Sequence, residues 1–417
     1  MKHVIIGAGP AGVVAAETIR KLDPSAEVTI IGNEPEPPYS RMAIPYLLIE
    51  NIDEKGTYLR KGESHFDDSA INVVVDSVVS VDPGTHSLTL GSGGNMGYDK
   101  LLIASGSTPI SPPIPGIDNP RVTSCWTLDD ARKITSGIKP GAPVVLIGAG
   151  FIGCIILEAL VSSGANLTVV EMGNRMVPRM LDETCGTLLE KWCKEKGVNV
   201  MTSSQVEAIE DAGDKVLVKI SGGREVEAEL VISAAGVRAN AGFLEGSGVD
   251  MSNGAVVIDE YMCSSVADIY AAGDVACGRD FSTGEYSVQA IQPTAVDHGR
   301  VAAGNMVSHG AVRHQGSVLM NVLDTMGLIS ASYGQWEGIE GGDTATLLDK
   351  DNFRYLQLQF DGDRLIGANT LGMTQHIGVL RGLVQGRFHL GNWKSRLMDN
   401  PLLVMEAYLA VTQGIQA

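Results

Sequence analysis

Two hydrophobic patterns alternate along the first three quarters of the chain. One is an apolar run that stops at a small-residue turn: "HVIIGAG" near the N-terminus, "LLIASG" at 101–106, "VVLIGAG" at 144–150, "LVISAAG" at 230–236 and "IYAAGD" at 269–274. The other is a longer stretch of apolar and small residues at helical spacing, as in "PAGVVAAETI" and "FIGCIILEALV". Runs that are apolar at every position predict strands buried on both faces, the signature of a parallel sheet covered by helices. The tail differs. "FRYLQLQFDGDRLIGANTL" alternates like a half-exposed strand pair, and the chain turns helical from about Gln375. The long apolar stretch 143–161 is interrupted by Gly148, Ala149 and Gly150, so a strand, a glycine turn and a packed helix are expected there in place of a membrane span.

The glycines inside these patterns carry the first chemical signal. Gly7, Gly9 and Gly12 follow a strand and open a helix, with Pro10 and Ala11 between them. In such a fingerprint the first glycine allows the tight turn, the second lets a pyrophosphate approach the backbone, and the third lets helix and strand pack closely. The phosphates would sit on the helix N-terminus. The following strand, "EVTIIGNE", ends in Asn33 and Glu34, which become candidates for ribose contacts. The pattern then repeats at Gly148, Gly150 and Gly153, with Phe151 and Ile152 opening the helix and Glu171 closing the next strand. An acid at that point accepts hydrogen bonds from both ribose hydroxyls and repels a 2′-phosphate, which favours NADH over NADPH. Arg175 nearby keeps NADPH open. A glycine turn without a ligand is the alternative for each motif, and two complete strand–glycine–helix–strand–acid units argue against it. The predicted fold is α/β, with two Rossmann-like, doubly wound three-layer dinucleotide-binding domains and a smaller α+β C-terminal domain.

Composition narrows the partners. The 417 residues are 44% hydrophobic and 19% charged, globular values for a chain long enough to form two or three domains. A net charge of −18 argues against nucleic acid or an anionic membrane as the main partner. Six cysteines (Cys125, Cys154, Cys185, Cys193, Cys263 and Cys277) show no CxxC or metal-ligand spacing, so no metal site is expected. With a strand beginning at residue 2 and no secretion signal read before it, a cytoplasmic protein with reduced thiols is expected.

Taken with "YDKLLIASGSTP", "VEAELVISAAGVRAN" and "DIYAAGDVA", the motifs in this order resemble the FAD- and NAD(P)-dependent pyridine nucleotide-disulfide oxidoreductases, a superfamily that includes ferredoxin and rubredoxin reductases, NADH oxidases and coenzyme A disulfide reductases. The resemblance covers most of the chain. It implies FAD on the first fold and a nicotinamide dinucleotide on the second. It also implies that Asp274, after Gly273, holds the ribityl chain, and that Arg41 helps hold the flavin nucleotide. Backbone contacts from Val78 to adenine are implied too, and the small-residue turns at Ala104, Ser105, Gly106 and Gly236 line the nucleotide sites. Thr294 and Ala295 are expected to start a helix whose N-terminus faces the flavin pyrimidine, and whose dipole favours negative charge on reduced flavin. The FAD domain is then split, 1–110 and 240–315, around an NAD(P) domain at 111–239, with the C-terminal domain at 316–417. The proline-rich 107–120 reads as a stiff crossing.

Two departures from the family pattern bear on chemistry. In thiol-dependent relatives the segment matching "YSRMAIPY" has a cysteine where this chain has Met42; Tyr39, Ala43, Ile44, Pro45 and Tyr46 match. A thioether forms neither thiolate nor disulfide, so thiol-based turnover is not expected. Met42 is instead expected to pack beside the flavin. Ferredoxin-type reductases share "PY-x-R" but often carry a lysine where Tyr46 stands. The glutamate that usually follows the last fingerprint glycine by two positions is Ile155 here, with Glu158 one turn on. No acid/base residue is nominated. The expected activity is NADH-preferring, FAD-dependent reduction of a small redox protein of the ferredoxin or rubredoxin type. The alternatives are an NADH oxidase or coenzyme A disulfide-type reductase with a displaced cysteine, and an electron-transfer subunit of a larger complex. Arg381, Arg387, Lys394 and Arg396 could dock an acidic carrier or simply form solvated faces. The protein is expected to be a monomer or homodimer.

Overall fold

The computed structural model describes residues 1–414. The chain divides into two compact units. One comprises Met1–Thr108, Val237–Asp280 and Gly284–Ser317; the other comprises Pro109–Gly236, Phe281–Thr283 and the chain from Val318 onward.

The first unit is organised by a five-stranded parallel sheet in the order Ile269–Ala271, Lys100–Ile103, Lys2–Ile6, Glu27–Gly32, Ile71–Val75. Val4, Ile5, Ile30, Leu101, Leu102 and Ile103 are fully buried in a core they share with Ala11, Ala15, Ala302 and Ala303 of two helices and with Val81 and Leu88 of a second sheet. The helices Pro10–Leu22 and Gln292–Val307 pack together through glycine: a Cβ on Gly299 would come 2.4 Å from the carbonyl oxygen of Ala11. Val78 lies on a separate antiparallel sheet made of Val78–Asp82, Ser87–Leu90 and Asn95–Gly97.

The second unit repeats the parallel design in the order Asn199–Met201, Asn166–Val170, Pro143–Ile147, Leu230–Ser233, Val122–Thr123. The stretch "VEAELVISAAG" spans parts of two strands. Arg224–Ala228 closes an antiparallel three-stranded sheet, and Leu230–Ser233 enters the buried parallel sheet beside Pro143–Ile147. The alternating polar half and the all-apolar half of the stretch mark that change of surroundings. The same unit contains an antiparallel five-stranded sheet built from Met320–Thr325, Leu328–Gly334, Arg364–Leu371, Arg354–Asp361 and Asp343–Asp349. One of its faces buries Tyr333, Leu358 and Phe360 against Leu380, Leu383 and Leu397 of the following helices. Asp182 links this sheet to the nucleotide-type fold: its backbone N–H donates to Asn369 Oδ1 at 2.8 Å, and its carboxylate accepts from Tyr355 Oη at 2.5 Å. None of the described helices is long and apolar enough to cross a membrane.

A buried histidine gives the first unit a pH-dependent stability. His298 is 4% exposed; burial, and after it the neighbouring His314, push its imidazole down to about 3. His314 is itself lowered by burial, partly offset by Asp297. The unfolded chain takes up the His298 proton near 6.5, so below that pH it binds protons the folded state refuses. Stability therefore falls as pH drops from about 6.5 toward 3. The His298 contribution is about 2 kcal/mol between pH 7 and pH 5. Urea unfolding at the two pH values should show His298→Asn losing less than wild type by about that amount; equal losses would refute the assignment.

Candidate functional site

In each parallel sheet the strand order reverses beside the fingerprint strand, and ligands of such sheets bind at the carboxyl ends of the strands at that point. Gly7 lies at the carboxyl end of Lys2–Ile6 with φ +120°, and a Cβ there would approach the carbonyl oxygen of Ala104 to 2.0 Å. Gly12 is equally confined, since its Cβ would lie 2.0 Å from the carbonyl oxygen of Gly7. Gly9 is not. A Cβ on Gly9, the N-cap of Pro10–Leu22, would meet no protein atom within 4 Å. The helix it opens has no acidic residue in its first turn, so its free N–H groups face open space suited to an anion.

A charged pair follows the next strand of the sheet. Glu34, just beyond Glu27–Gly32, accepts from Tyr39 Oη at 2.5 Å and from Arg41 Nη2 at 2.7 Å. Arg41 begins a short helical turn, Arg41–Ala43, on a strap closed by backbone bonds from Ser40 to Thr57 and from Leu59 to Pro38. Ser40 Oγ donates to Gln292 Oε1 at 2.5 Å. Met42 is 41% exposed and Tyr46 56%, so neither is packed into the protein core.

Across the sheet, Ser105 and Gly106 are fixed by Asn240. Ser105 Oγ donates to its carbonyl at 2.6 Å, and the Asn240 N–H donates to the carbonyl of Gly106 at 2.9 Å. Gly273 has φ +78° and leads into Asp274, whose carboxylate accepts from Ser107 Oγ at 2.8 Å. Burial raises the Asp274 pKa above its ordinary value, opposed by the Ser107 bond and the charge of Arg41. Thr294 and Ala295 are buried in the first turn of Gln292–Val307 and do not start it; the helix begins two residues earlier because Pro293 fits the first turn, where its missing N–H costs nothing. This unit thus brings the first fingerprint, Asn33, Glu34, Arg41, Ala104–Gly106, Gly273, Asp274, Thr294 and Ala295 into one fold. Sequence reasoning passed over Ser107, Asn240 and Gly299; a glycine inside the helical "DHGRVAAGNM" was the one readable sign of them.

The second unit repeats the cradle. A Cβ on Gly148 would lie 2.7 Å from the carbonyl oxygen of Ala234, and one on Gly153 would lie 2.1 Å from that of Gly148, whereas Gly150 has open space. Phe151 and Ile152 begin the helix Phe151–Ser162, and Gly236 sits at φ +109° past Leu230–Ser233. Glu171 follows Asn166–Val170. Its carboxylate accepts from the backbone N–H of Ala149 at 2.7 Å and of Gly173 at 2.6 Å, which hold it in place at the strand end. Arg175 is committed elsewhere: Nε donates to the carbonyl of Leu181 at 2.9 Å, Nη1 to Asn174 Oδ1 at 2.9 Å and Nη2 to the carbonyl of Pro178 at 3.1 Å.

The thiols stand apart from this chemistry. All six cysteines are unpaired, and all but Cys263 are buried. Burial pushes Cys125 and Cys193 up to about 12 and Cys263 up to about 11, with Cys154 and Cys185 well above the ordinary value. Thiolates are therefore scarce at neutral pH. Iodoacetamide at pH 8 should modify at most Cys263 in the folded protein and leave NADH-driven electron transfer within about twofold; loss of activity in step with alkylation would restore the displaced-cysteine reading.

The basic tail is also locally engaged. Lys394 pairs with Asp343, Arg381 Nε donates to Gln385 Oε1 at 2.8 Å, Arg387 donates to the carbonyl of Phe281 at 2.5 Å, and the Arg396 guanidinium lies 4.5 Å from the Trp393 ring centre. Trp393 itself packs on the core of the C-terminal sheet.

Residues 1–299 match the family described as pyridine nucleotide-disulphide oxidoreductase. The chain is 30% identical over 414 residues to the NADH-dependent phenylglyoxylate dehydrogenase subunit epsilon of Aromatoleum evansii, covering 99% of this chain and 98% of that one. It is 27% identical to the 3-phenylpropionate/cinnamic acid dioxygenase ferredoxin–NAD(+) reductase component of Photorhabdus laumondii, over 73% of this chain and 77% of that one. Among solved structures, an NAD-dependent persulfide reductase from A. fulgidus superposes with a TM-score of 0.87 at 30% identity, covering 94% of this chain and 78% of that one.

Proposed function

The chain belongs to the pyridine nucleotide-disulphide oxidoreductase family, and from that premise we propose that it passes electrons from NADH, through FAD, to a small redox protein or to a neighbouring subunit. It is an oxidoreductase whose cofactors are FAD and NAD(P)H. The observation that carries the reading is the duplicated cradle: two fingerprints, each with first and third glycines packed against backbone and a middle glycine facing open space.

The residues present fit both nucleotides. On the first fold, the N-terminus of Pro10–Leu22 and Arg41 would hold the pyrophosphate, Glu34 and Asn33 the adenosine ribose, and Asp274, oriented by Ser107, the ribityl hydroxyls. Val78 would border the adenine. On the second fold, Gly150 and the helix start at Phe151 would hold the second pyrophosphate, and Glu171 its ribose diol. Glu171 would repel a 2′-phosphate, and the donors of Arg175 are turned to Leu181, Asn174 and Pro178, which supports NADH as the coenzyme. FAD, when bound, would supply the two-electron redox chemistry between a nicotinamide and an acceptor. The protein orients the nucleotides and places the Gln292–Val307 helix dipole where it would favour negative charge. Ile155 leaves the second helix without the usual acid, so no side chain is asked to move a proton. The domain roles follow: FAD on 1–110 and 240–315, NAD on 111–239, and 316–417 as a C-terminal domain.

The absence of an accessible low-pKa thiol supports a carrier as acceptor in place of a disulfide. The end-to-end similarity to a dehydrogenase subunit favours a second form of the same reading, in which the acceptor is a subunit of a stable complex. The test is NADH-dependent reduction of a purified ferredoxin and a purified rubredoxin, followed at their visible bands. Reduction of either supports a diffusing carrier. Reduction of neither, with NADH still consumed by added ferricyanide and with co-purifying subunits, supports the complex; no NADH consumption with any acceptor overturns both.

A further inference from the structure

His298 is absorbed by none of the roles above, yet it lies directly behind the Gly273–Asp274 turn. The Gly273 backbone N–H points at His298 Nδ1 at 3.4 Å, and His298 Nε2 lies 3.0 Å from Ser317 Oγ. Because Nδ1 accepts, the ring must be neutral with its proton on Nε2, which donates to the Ser317 hydroxyl. The chain of contacts continues. Gln289 Nε2 donates to the Ser317 carbonyl at 3.0 Å and to Asp280 Oδ2 at 2.5 Å. His298, Ser317, Gln289 and Asp280 are all buried, and the rings of His298 and His314 meet at right angles with centroids 5.0 Å apart.

We propose that His298 is a positioning residue for flavin: it fixes the plane of the Gly273 amide and thereby the direction of the Asp274 carboxylate, with Ser317 holding the imidazole in the accepting tautomer. Gly273 is held in the left-handed region at φ +78°, and its Cβ position lies 3.4 Å from the methyl carbons of both Ala11 and Ala295. The turn is therefore tightly packed between the two helices. Small rotations of the Gly273 peptide swing Asp274, whose carboxylate accepts from Ser107 Oγ. A buried N–H deprived of its acceptor gains most by rotating toward another one, and that rotation would move the carboxylate away from the ribityl hydroxyls.

The inference rests on the assignment of FAD to the first fold, and one experiment separates the two. Flavin-loaded wild type, His298→Asn, His298→Leu and Ser317→Ala proteins are diluted serially, and released FAD is read by its fluorescence to give Kd. Asparagine and leucine have similar shapes, but only asparagine offers an acceptor near the Nδ1 position. Leucine should weaken FAD binding about tenfold or more, asparagine by less than about threefold, and alanine at 317 by an intermediate factor. If His298→Leu does not fold, the ordering of wild type, His298→Asn and Ser317→Ala decides, with Ser317→Ala at the wild-type Kd counting against the proposal. Equal Kd values for asparagine and leucine, whether tight or weak, overturn it, since a purely structural histidine would change melting temperature without separating the two. A wild type that binds no FAD overturns the flavin assignment instead.

Discussion

Gly9→Ala is expected to yield a folded protein without flavin, whereas Gly12→Ala is expected to lose both fold and flavin. The two substitutions add the same methyl group three residues apart, and the surroundings decide the difference. At Gly12 the new Cβ would lie 2.0 Å from the carbonyl oxygen of Gly7 and 3.2 Å from Ile5. Backbone must move to admit it, at a cost of about 1–3 kcal/mol or more, a large share of the stability of an ordinary domain. At Gly9 the backbone sits at φ −80°, ψ −175°, which alanine adopts freely, and nothing in the protein lies within 4 Å. The methyl therefore obstructs only what binds there. Losing close approach of a pyrophosphate to the helix N-terminus should weaken FAD by about ten- to a hundredfold. The ratio of visible to ultraviolet absorbance, read beside a thermal melt, checks both variants. Full flavin in Gly9→Ala would mean that the first fingerprint binds no dinucleotide.

Glu171→Gln is expected to erase most of the preference for NADH over NADPH, lowering the ratio of their kcat/KM values by about tenfold or more. Two backbone N–H groups, from Ala149 and Gly173, hold the carboxylate at the strand end. Glutamine keeps the shape and an acceptor for one of these N–H groups, and losing the other bond costs about 1 kcal/mol, which the fold should survive. What it removes is the second strong acceptor for a ribose diol and the charge that repels a 2′-phosphate. Steady-state kinetics with each coenzyme and ferricyanide as acceptor reads the ratio. An unchanged ratio would show that the second nucleotide does not place its ribose at Glu171.

Local pattern carried much of this architecture. The all-apolar runs became the central parallel strands, and the glycine spacing marked both switch points. What stayed hidden depends on residues far apart in the chain. Asn240 organises Ser105 across 135 positions, and Asp182 meets Asn369 across 187; neither partner differs locally from an ordinary polar residue. His298 sits in a helix whose hydrophobic side is blurred by glycine and alanine, so nothing in its neighbours signals burial. The basic tail shows the opposite limit. Arg381, Arg387, Lys394 and Arg396 are visible as a charge cluster, but only the fold reveals that each already has a local partner.

Electron entry from NADH into bound flavin is the step on which every other role depends. Purified protein carrying flavin, mixed with NADH in a stopped-flow instrument without oxygen, should lose its visible flavin band rapidly, with NADPH markedly slower. A flavin band that persists with both coenzymes would contradict the pyridine-nucleotide mechanism outright.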